Sequence, residues 1–289
     1  FLLFIHADRR SKFTPFGISS DERYHVVDGN DRIVEGLSKR LQKRIQLGFK
    51  LVRVLRTAGG RIELTFAQGA ATRQFTFDAA VLALPFSTLR EVELDASLAL
   101  PRWKLNAIQS LGYGTNAKMM LGFNGRPWQL LGGNGESYSD LLNHQLTWET
   151  NPTKASAARG VLTDYSSGMR GANLNPSNAQ SEASKFLGDL EKVFPGALAA
   201  AKRDGQGKFL VHLEHWPSNP LTKGSYTCYM PGQFTTIAGN EGKPVGNLYF
   251  AGEHANSFYD WQGFMEGAAL SGVDAARAIL QAIKVGTLG

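Results

Sequence analysis

Apolar residues fall along much of this chain in short alternating runs separated by turn formers. Residues 49–55 and 61–66 alternate around Gly59-Gly60, a pattern that predicts two strands joined by a hairpin turn. A third strand is predicted over residues 73–84, ending at Pro85, which cannot donate to a ladder. Upstream, Asn30 or Asp31 can cap a helix over about residues 32–44. From about Ile108 to Pro217 the pattern changes. Strands at 117–123, 160–165 and 208–216 are joined by longer polar loops, among them 173–178, with one well-patterned helix at 180–194. That order predicts an antiparallel sheet with helices on one face.

The most informative stretch is the last. Leu248, Tyr249, Phe250 and Ala251 form a short apolar run, read as a buried strand, and Gly252 then allows close backbone approach. Glu253 follows at the strand end, where open α/β sheets bind ligands, and its acceptor oxygens suit a ribose or ribityl hydroxyl. A helix is predicted over about 262–283, with Phe264, Ala268, Val273, Ala276, Ile279, Leu280 and Ile283 on its apolar face. Its first turns carry Gly263, Gly267, Ala268, Ala269, Ser271 and Gly272. Such small residues suit close approach to a flat group, and they equally suit a tightly packed terminal helix with no ligand.

Composition narrows the class without naming an activity. With 289 residues and 43% hydrophobic content the chain can bury a substantial core. The net charge of +6 is spread along the chain, apart from Lys39-Arg40 and Lys43-Arg44 near a helix end, and no aromatic interleaving accompanies it, so nucleic-acid binding is not indicated. The single Cys228 excludes an intrachain disulfide and a cysteine metal cluster and reads as a buried filler beside Tyr229. His212 and His215, three apart on a strand, point to opposite faces, and no metal site is expected. No run approaches the roughly 18 apolar residues of a membrane span. The opening Phe1-Leu-Leu-Phe-Ile has neither a basic leader nor a cleavage pattern and reads as the interior of an element. No Gly-x-Ser-x-Gly elbow is present.

Five segments in order carry a resemblance. They are Val26-Val-Asp-Gly-Asn-Asp-Arg-Ile-Val-Glu-Gly-Leu, Ala80-Val-Leu-Ala-Leu-Pro, Gly114-Thr-Asn-Ala-Lys-Met-Met-Leu, Gly224-Ser-Tyr, and Phe250-Ala-Gly-Glu with Trp261-Gln-Gly-Phe-Met-Glu-Gly-Ala. Together they resemble the flavin amine oxidases, which include monoamine, polyamine and L-amino acid oxidases. The resemblance implies an α/β fold, α+β in its substrate part: an FAD-binding Rossmann-like domain (27–107 and 219–289) interleaved with a mixed-sheet substrate domain (1–26 and 108–218). That family opens with a Gly-x-Gly-x-x-Gly turn, which this chain lacks. Gly132-Gly-Asn-Gly135 is too short and reads as a surface turn. The fold is therefore expected to be incomplete without an N-terminal segment, which a companion polypeptide is expected to carry; a second subunit, a processed chain and a lost piece all stay open.

The resemblance also implies roles for individual residues. Lys118 falls where the family's lysine holds a water beside flavin N5; from the sequence alone it reads as an outward-facing lysine on an edge strand. Tyr226 and Phe264 fall on the two aromatic positions that cage the substrate amine, Phe264 lacking the phenol of monoamine oxidases. Val52, Gly252, Glu253, Trp261, Phe264 and Met265 are expected to bind cofactor, Val52 by a backbone contact with adenine. Ser225 stands where monoamine oxidases have the cysteine bonded to flavin, so FAD should be held noncovalently, and Asp28 replaces a frequent glycine. His254 could face cofactor or solvent. The implied activity is oxidative deamination of a small amine, with oxygen reduced to hydrogen peroxide. One alternative is an L-amino acid oxidase, with Arg9, Arg10 and Arg23 in the right broad region for a carboxylate grip. Another is a non-catalytic fragment or partner-binding subunit that keeps the fold. A soluble protein is expected, with the cytoplasm favoured as its compartment and a homo-oligomer left open.

Overall fold

A computed structural model describes residues 24, 26–150, 158–257 and 261–288. The expected contribution of 1–26 to a substrate domain, with Arg9, Arg10 and Arg23, falls almost entirely outside these residues. The chain divides into two compact units, 1–50 and 51–289.

In the first unit the helix spans Asp31–Leu41 and continues as a single 3-10 turn, Gln42–Arg44. Asn30 takes the capping position but in helical geometry and with no side-chain cap, so neither expected capping bond forms. Asp28 adopts φ +66°, a left-handed conformation that favours glycine, which gives a backbone reason for glycine at that place.

The second unit holds two hydrophobic cores. Strands β1 (Lys50–Arg56), β2 (Ile62–Gln68) and β3 (Ala71–Phe77) form a meander, with Gly60 at φ +81° in the predicted hairpin turn. The expected third strand breaks at Asp78-Ala79. Its second half is a separate strand, β4 (Ala80–Leu82), and β5 (Glu93–Leu94) returns parallel to β1. The chain then builds an antiparallel sheet from β6 (Ala117–Phe123), β7 (Ser137–Tyr138), β8 (Leu146–Glu149), β9 (Gly160–Ser166) and β10 (Val211–His215), in the order β10-β6-β9-β8-β7. Helix Ala179–Val193 lays Ala183, Phe186, Leu187 and Leu190 on the apolar face of that sheet, against Met119, Leu121 and Phe123. His212 is exposed and His215 buried, as alternation requires.

Finally β11 (Leu248–Phe250) pairs in parallel with β4, and the buried Asn247 amide fixes the register by donating to the carbonyls of Gly60 at 2.9 Å and Asp78 at 2.6 Å. This pair shares a core with Val54, Ile62, Phe86, Leu98 and Ile108. The last helix spans Met265–Lys284, starting three residues later than predicted because Gly263 sits at φ +86°. Its packed face also differs. The buried positions are Gly267, Ser271 and Ala275, while Val273, Leu280 and Ile283 of the predicted apolar face are exposed. Close backbone packing decides this: a Cβ at Gly267 would overlap the Trp261 carbonyl oxygen.

Candidate active site

Two walls meet at a cavity of about 350 Å³. The first belongs to the antiparallel sheet. Alternation along β6 sends Ala117, Met119, Leu121 and Phe123 into the core and Lys118 to the opposite face. Tyr165 stands directly opposite Lys118 in register. Trp148 lies one strand further, its ring centre 5.4 Å from that of Tyr165. The Lys118 ammonium lies 5.6 Å from the Trp148 ring centre and 5.7 Å from that of Tyr165, within reach of both aromatic faces. The edge-strand reading of Lys118 is corrected: β6 is flanked by β10 and β9, and the side chain lines the cavity.

The second wall is made of loops and the start of the last helix. Tyr226 and Phe264 rise on it, 40% and 42% exposed. The Tyr226 hydroxyl meets that of Tyr165 at 2.9 Å, a bond that joins the walls. Behind the two aromatics lies Glu253. One carboxylate oxygen accepts from the Thr227 amide at 3.0 Å and the Thr227 hydroxyl at 2.9 Å; the other accepts from the Gly263 amide at 2.8 Å. Burial pushes the Glu253 carboxyl above its ordinary range, opposed by these bonds. Three of its acceptor sites are thus spent on the protein itself, clamping the Tyr226 segment to the turn that carries Phe264.

The remaining predicted residues divide. Ser225 and Met265 line the same cavity. The Ser225 hydroxyl donates to the Asn116 side-chain Oδ1 at 2.6 Å. Trp261 stands behind Phe264, edge-to-face with ring centres 6.0 Å apart. Gly252 and Val52 do not line this cavity: Val52 lies on β1, and Gly252 supports the turn. At φ +129° it exchanges backbone hydrogen bonds with the Ser271 hydroxyl at 2.9 and 3.0 Å, and a Cβ there would meet the His254 ring. His254 is only 2% exposed and faces the interior, its ring centre 4.4 Å from that of Phe86. Burial pushes its imidazole down to about 3, with the Lys104 charge adding to the effect. Cys228 is exposed, contrary to the buried reading, because alternation along 226–229 turns Thr227 and Tyr229 inward.

Sequence reasoning missed Tyr165, Trp148 and Asn116. Tyr165 was legible only through its register with Lys118, which depends on pairing of distant strands. Among the described residues no group of side chains is arranged to hold a metal ion, and no helix is long and apolar enough to cross a membrane.

A strand, a glutamate turn and a small-residue helix beside a lysine and paired aromatics agree with the family comparison. Residues 3–280 match the model for flavin containing amine oxidoreductases. The chain belongs to this family. Among curated relatives, a probable polyamine oxidase of Arabidopsis thaliana is 27% identical over 254 residues, which cover 87% of this chain and 47% of the relative. A putative L-amino-acid oxidase of Bacillus subtilis (strain 168) is 26% identical over 259 residues, 88% of this chain and 52% of the relative. Among solved structures, cyclohexylamine oxidase from Brevibacterium oxydans superposes with a TM-score of 0.71 at 21% identity, covering 89% of this chain and 53% of that one. Putrescine oxidase bound to putrescine gives 0.71 at 17% identity. This likeness shows a shared mixed α/β fold. The chain spans about half the length of the curated relatives it matches.

Proposed function

We propose that this chain carries the amine-facing part of an FAD-dependent oxidase that converts a small primary or secondary amine, oxygen and water to a carbonyl compound, ammonia or a smaller amine, and hydrogen peroxide. The observation that carries the reading is the meeting of Lys118, Tyr226 and Phe264 at one cavity from distant parts of the sequence. The relatives' names, polyamine oxidase and cyclohexylamine oxidase, support the amine as substrate.

The residues present fit a flavin. No side chain caps the last helix, so the amides of its first turn suit an electron-rich oxygen. Met265 and Ala268 present an apolar surface beside Glu253. Met265, Glu253, Phe264, Trp261 and Gly252 would hold the flavin end and Val52 the adenine end. Ser225 offers a hydroxyl, which donates to the Asn116 side chain, where a thioether to flavin would need a thiol, so FAD would be noncovalent. Bound FAD supplies the two-electron chemistry, taking electrons from the amine and passing them to oxygen. Tyr226 and Phe264 orient the amine between their faces and exclude water. Lys118 places a cation and proton donor in the cavity, opposite the aromatic pair. No general base is assigned. Residues 27–107 and 219–289 are assigned to the cofactor part and 108–218, with 1–26, to the substrate part; the separate cores around Phe250 and around Phe186 support two parts, with Ile108 and Leu111 packing into the first core. Because the chain spans half of its relatives, a companion segment or polypeptide is assigned the glycine-rich pyrophosphate turn.

An L-amino acid oxidase is the second reading, favoured by the relative named so. The test is mass spectrometry of the denatured protein, followed by peroxide assays with cyclohexylamine, putrescine and L-leucine. Free FAD of unmodified mass and peroxide from an amine support the proposal. A flavin bonded to the polypeptide, or no flavin at all, sinks it, and peroxide from leucine alone moves the second reading forward.

A further inference from the structure

Glu241 carries a carboxylate with no exposed surface, outside the cavity and unused in the chemistry above. A buried carboxylate is costly unless its oxygens are hydrogen-bonded. One oxygen accepts from the Tyr229 hydroxyl and the other from the Ser257 hydroxyl. The Lys104 ammonium, also fully buried, donates to the backbone carbonyls of Asn240 at 2.7 Å and Glu241 at 2.6 Å and lies 3.9 Å from the Phe250 ring centre. This anchors the Glu241 backbone to the core beneath β11.

The bonds lead from Glu241 to the second wall. The Tyr229 hydroxyl accepts from the Gln262 amide at 3.0 Å, and the same amide donates to the His254 carbonyl at 3.1 Å. One carboxylate therefore grips Ser257 directly and Gln262 through Tyr229. Gln262 adjoins Gly263, whose amide Glu253 holds, and Phe264 follows; Tyr229 lies three residues after Tyr226. Glu253 and Glu241 form two successive clamps between the same two segments. We propose that Glu241 is a positioning residue that sets the separation of Tyr226 and Phe264 from behind the wall.

The consequence for substrate rests on the amine-site reading, but amide hydrogen exchange of the purified protein needs no substrate and tests the positioning by itself. Three variants, Tyr229→Phe, Ser257→Ala and Glu241→Gln, each remove or weaken part of the clamp at little cost in volume. In Tyr229→Phe, exchange of the Thr227 and Gly263 amides is expected to rise about tenfold, the scale of one lost side-chain hydrogen bond, while β6, β9 and β11 stay unchanged. Glu241→Gln, which keeps one acceptor oxygen, should show a smaller rise at the same amides. Unchanged exchange at Gly263 in all three variants would overturn the proposal. So would a uniform rise across both cores, the mark of a residue that only stabilises the fold.

Discussion

The two walls of the cavity are held by different physics. Lys118 and Tyr165 sit on central strands and inherit their places from a seven-residue backbone ladder running from Ala117 opposite Ser166 to Phe123 opposite Gly160. Tyr226 and Phe264 sit on loops: backbone bonds tie residues 225–228 to 112–114, and side-chain acceptors, Glu253 nearest and Glu241 behind, join that segment to the turn carrying Phe264. The ladder wall spreads its hold over many peptide groups, so no single side chain decides it. The two segments of the loop wall are joined through buried ionisable groups, which makes their junction adjustable and exposes it to pH and to single substitutions.

The largest difference between the walls is expected in acid. The His254 imidazole beneath the loop wall is held at about 3 against an ordinary 6.5, so the folded state takes up fewer protons than the unfolded one over that range. Its contribution to stability is complete above pH 6.5 and is lost as pH falls from 6.5 toward 3. Glu253, raised by burial, acts in the opposite sense. Denaturant midpoints across this range should fall with acid in the parent protein and fall less steeply in His254→Leu. Equal slopes in the two proteins would remove the buried imidazole from the account.

Glu253→Ala comes next. It leaves the Thr227 amide, the Thr227 hydroxyl and the Gly263 amide without an acceptor, a loss of about 3 kcal/mol at roughly 1 kcal/mol per donor. Urea unfolding would measure it, and a loss below a few tenths would mean that water replaces the carboxylate and the wall is not clamped.

Gly267→Ala should cost about 2 kcal/mol, because a Cβ there must push away the Trp261 carbonyl and with it the backbone behind Phe264. The same change at Gly188, in the helix on the opposite core, meets open space and should be neutral or stabilising. Unfolding midpoints of the two variants compare the two helices directly. Smallest is Tyr165→Phe, which deletes only the hydroxyl bond between the walls and should cost about 1 kcal/mol or less while leaving both ring faces near Lys118 in place.

The same contrast explains what could be read from the chain. Elements set by period were legible: β6, β9 and β10 of the ladder wall, the helix Ala179–Val193 and the buried β11 all follow from alternation or apolar spacing, whereas the short β7 and β8 were not expected. The last helix was found, but its packed face was not, since a stripe of small residues carries little hydrophobic signal and Gly263 delays its start. Lys118, Tyr226 and Phe264 were legible from motif resemblance, and the fold brings them to one cavity. Tyr165 and Glu241 were not. Their significance comes from register and from hydrogen bonds between segments far apart in sequence, neither of which leaves a local pattern. Cys228 was misplaced because alternation along 226–229 turns Thr227 and Tyr229 inward, and the single turn Glu253–Ala255 carries the His254 ring into the interior.

On the proposed function these walls together make an amine-oxidising flavin site, with Lys118 acting on the electrons' way out. Stopped-flow mixing of the flavin-loaded protein with cyclohexylamine without oxygen, and then with oxygen, tests it most directly. The amine is expected to bleach the flavin, and Lys118→Met is expected still to bleach but to be reoxidised at least about tenfold more slowly. A flavin that no amine reduces, or reoxidation of Lys118→Met at the parent rate, would contradict it.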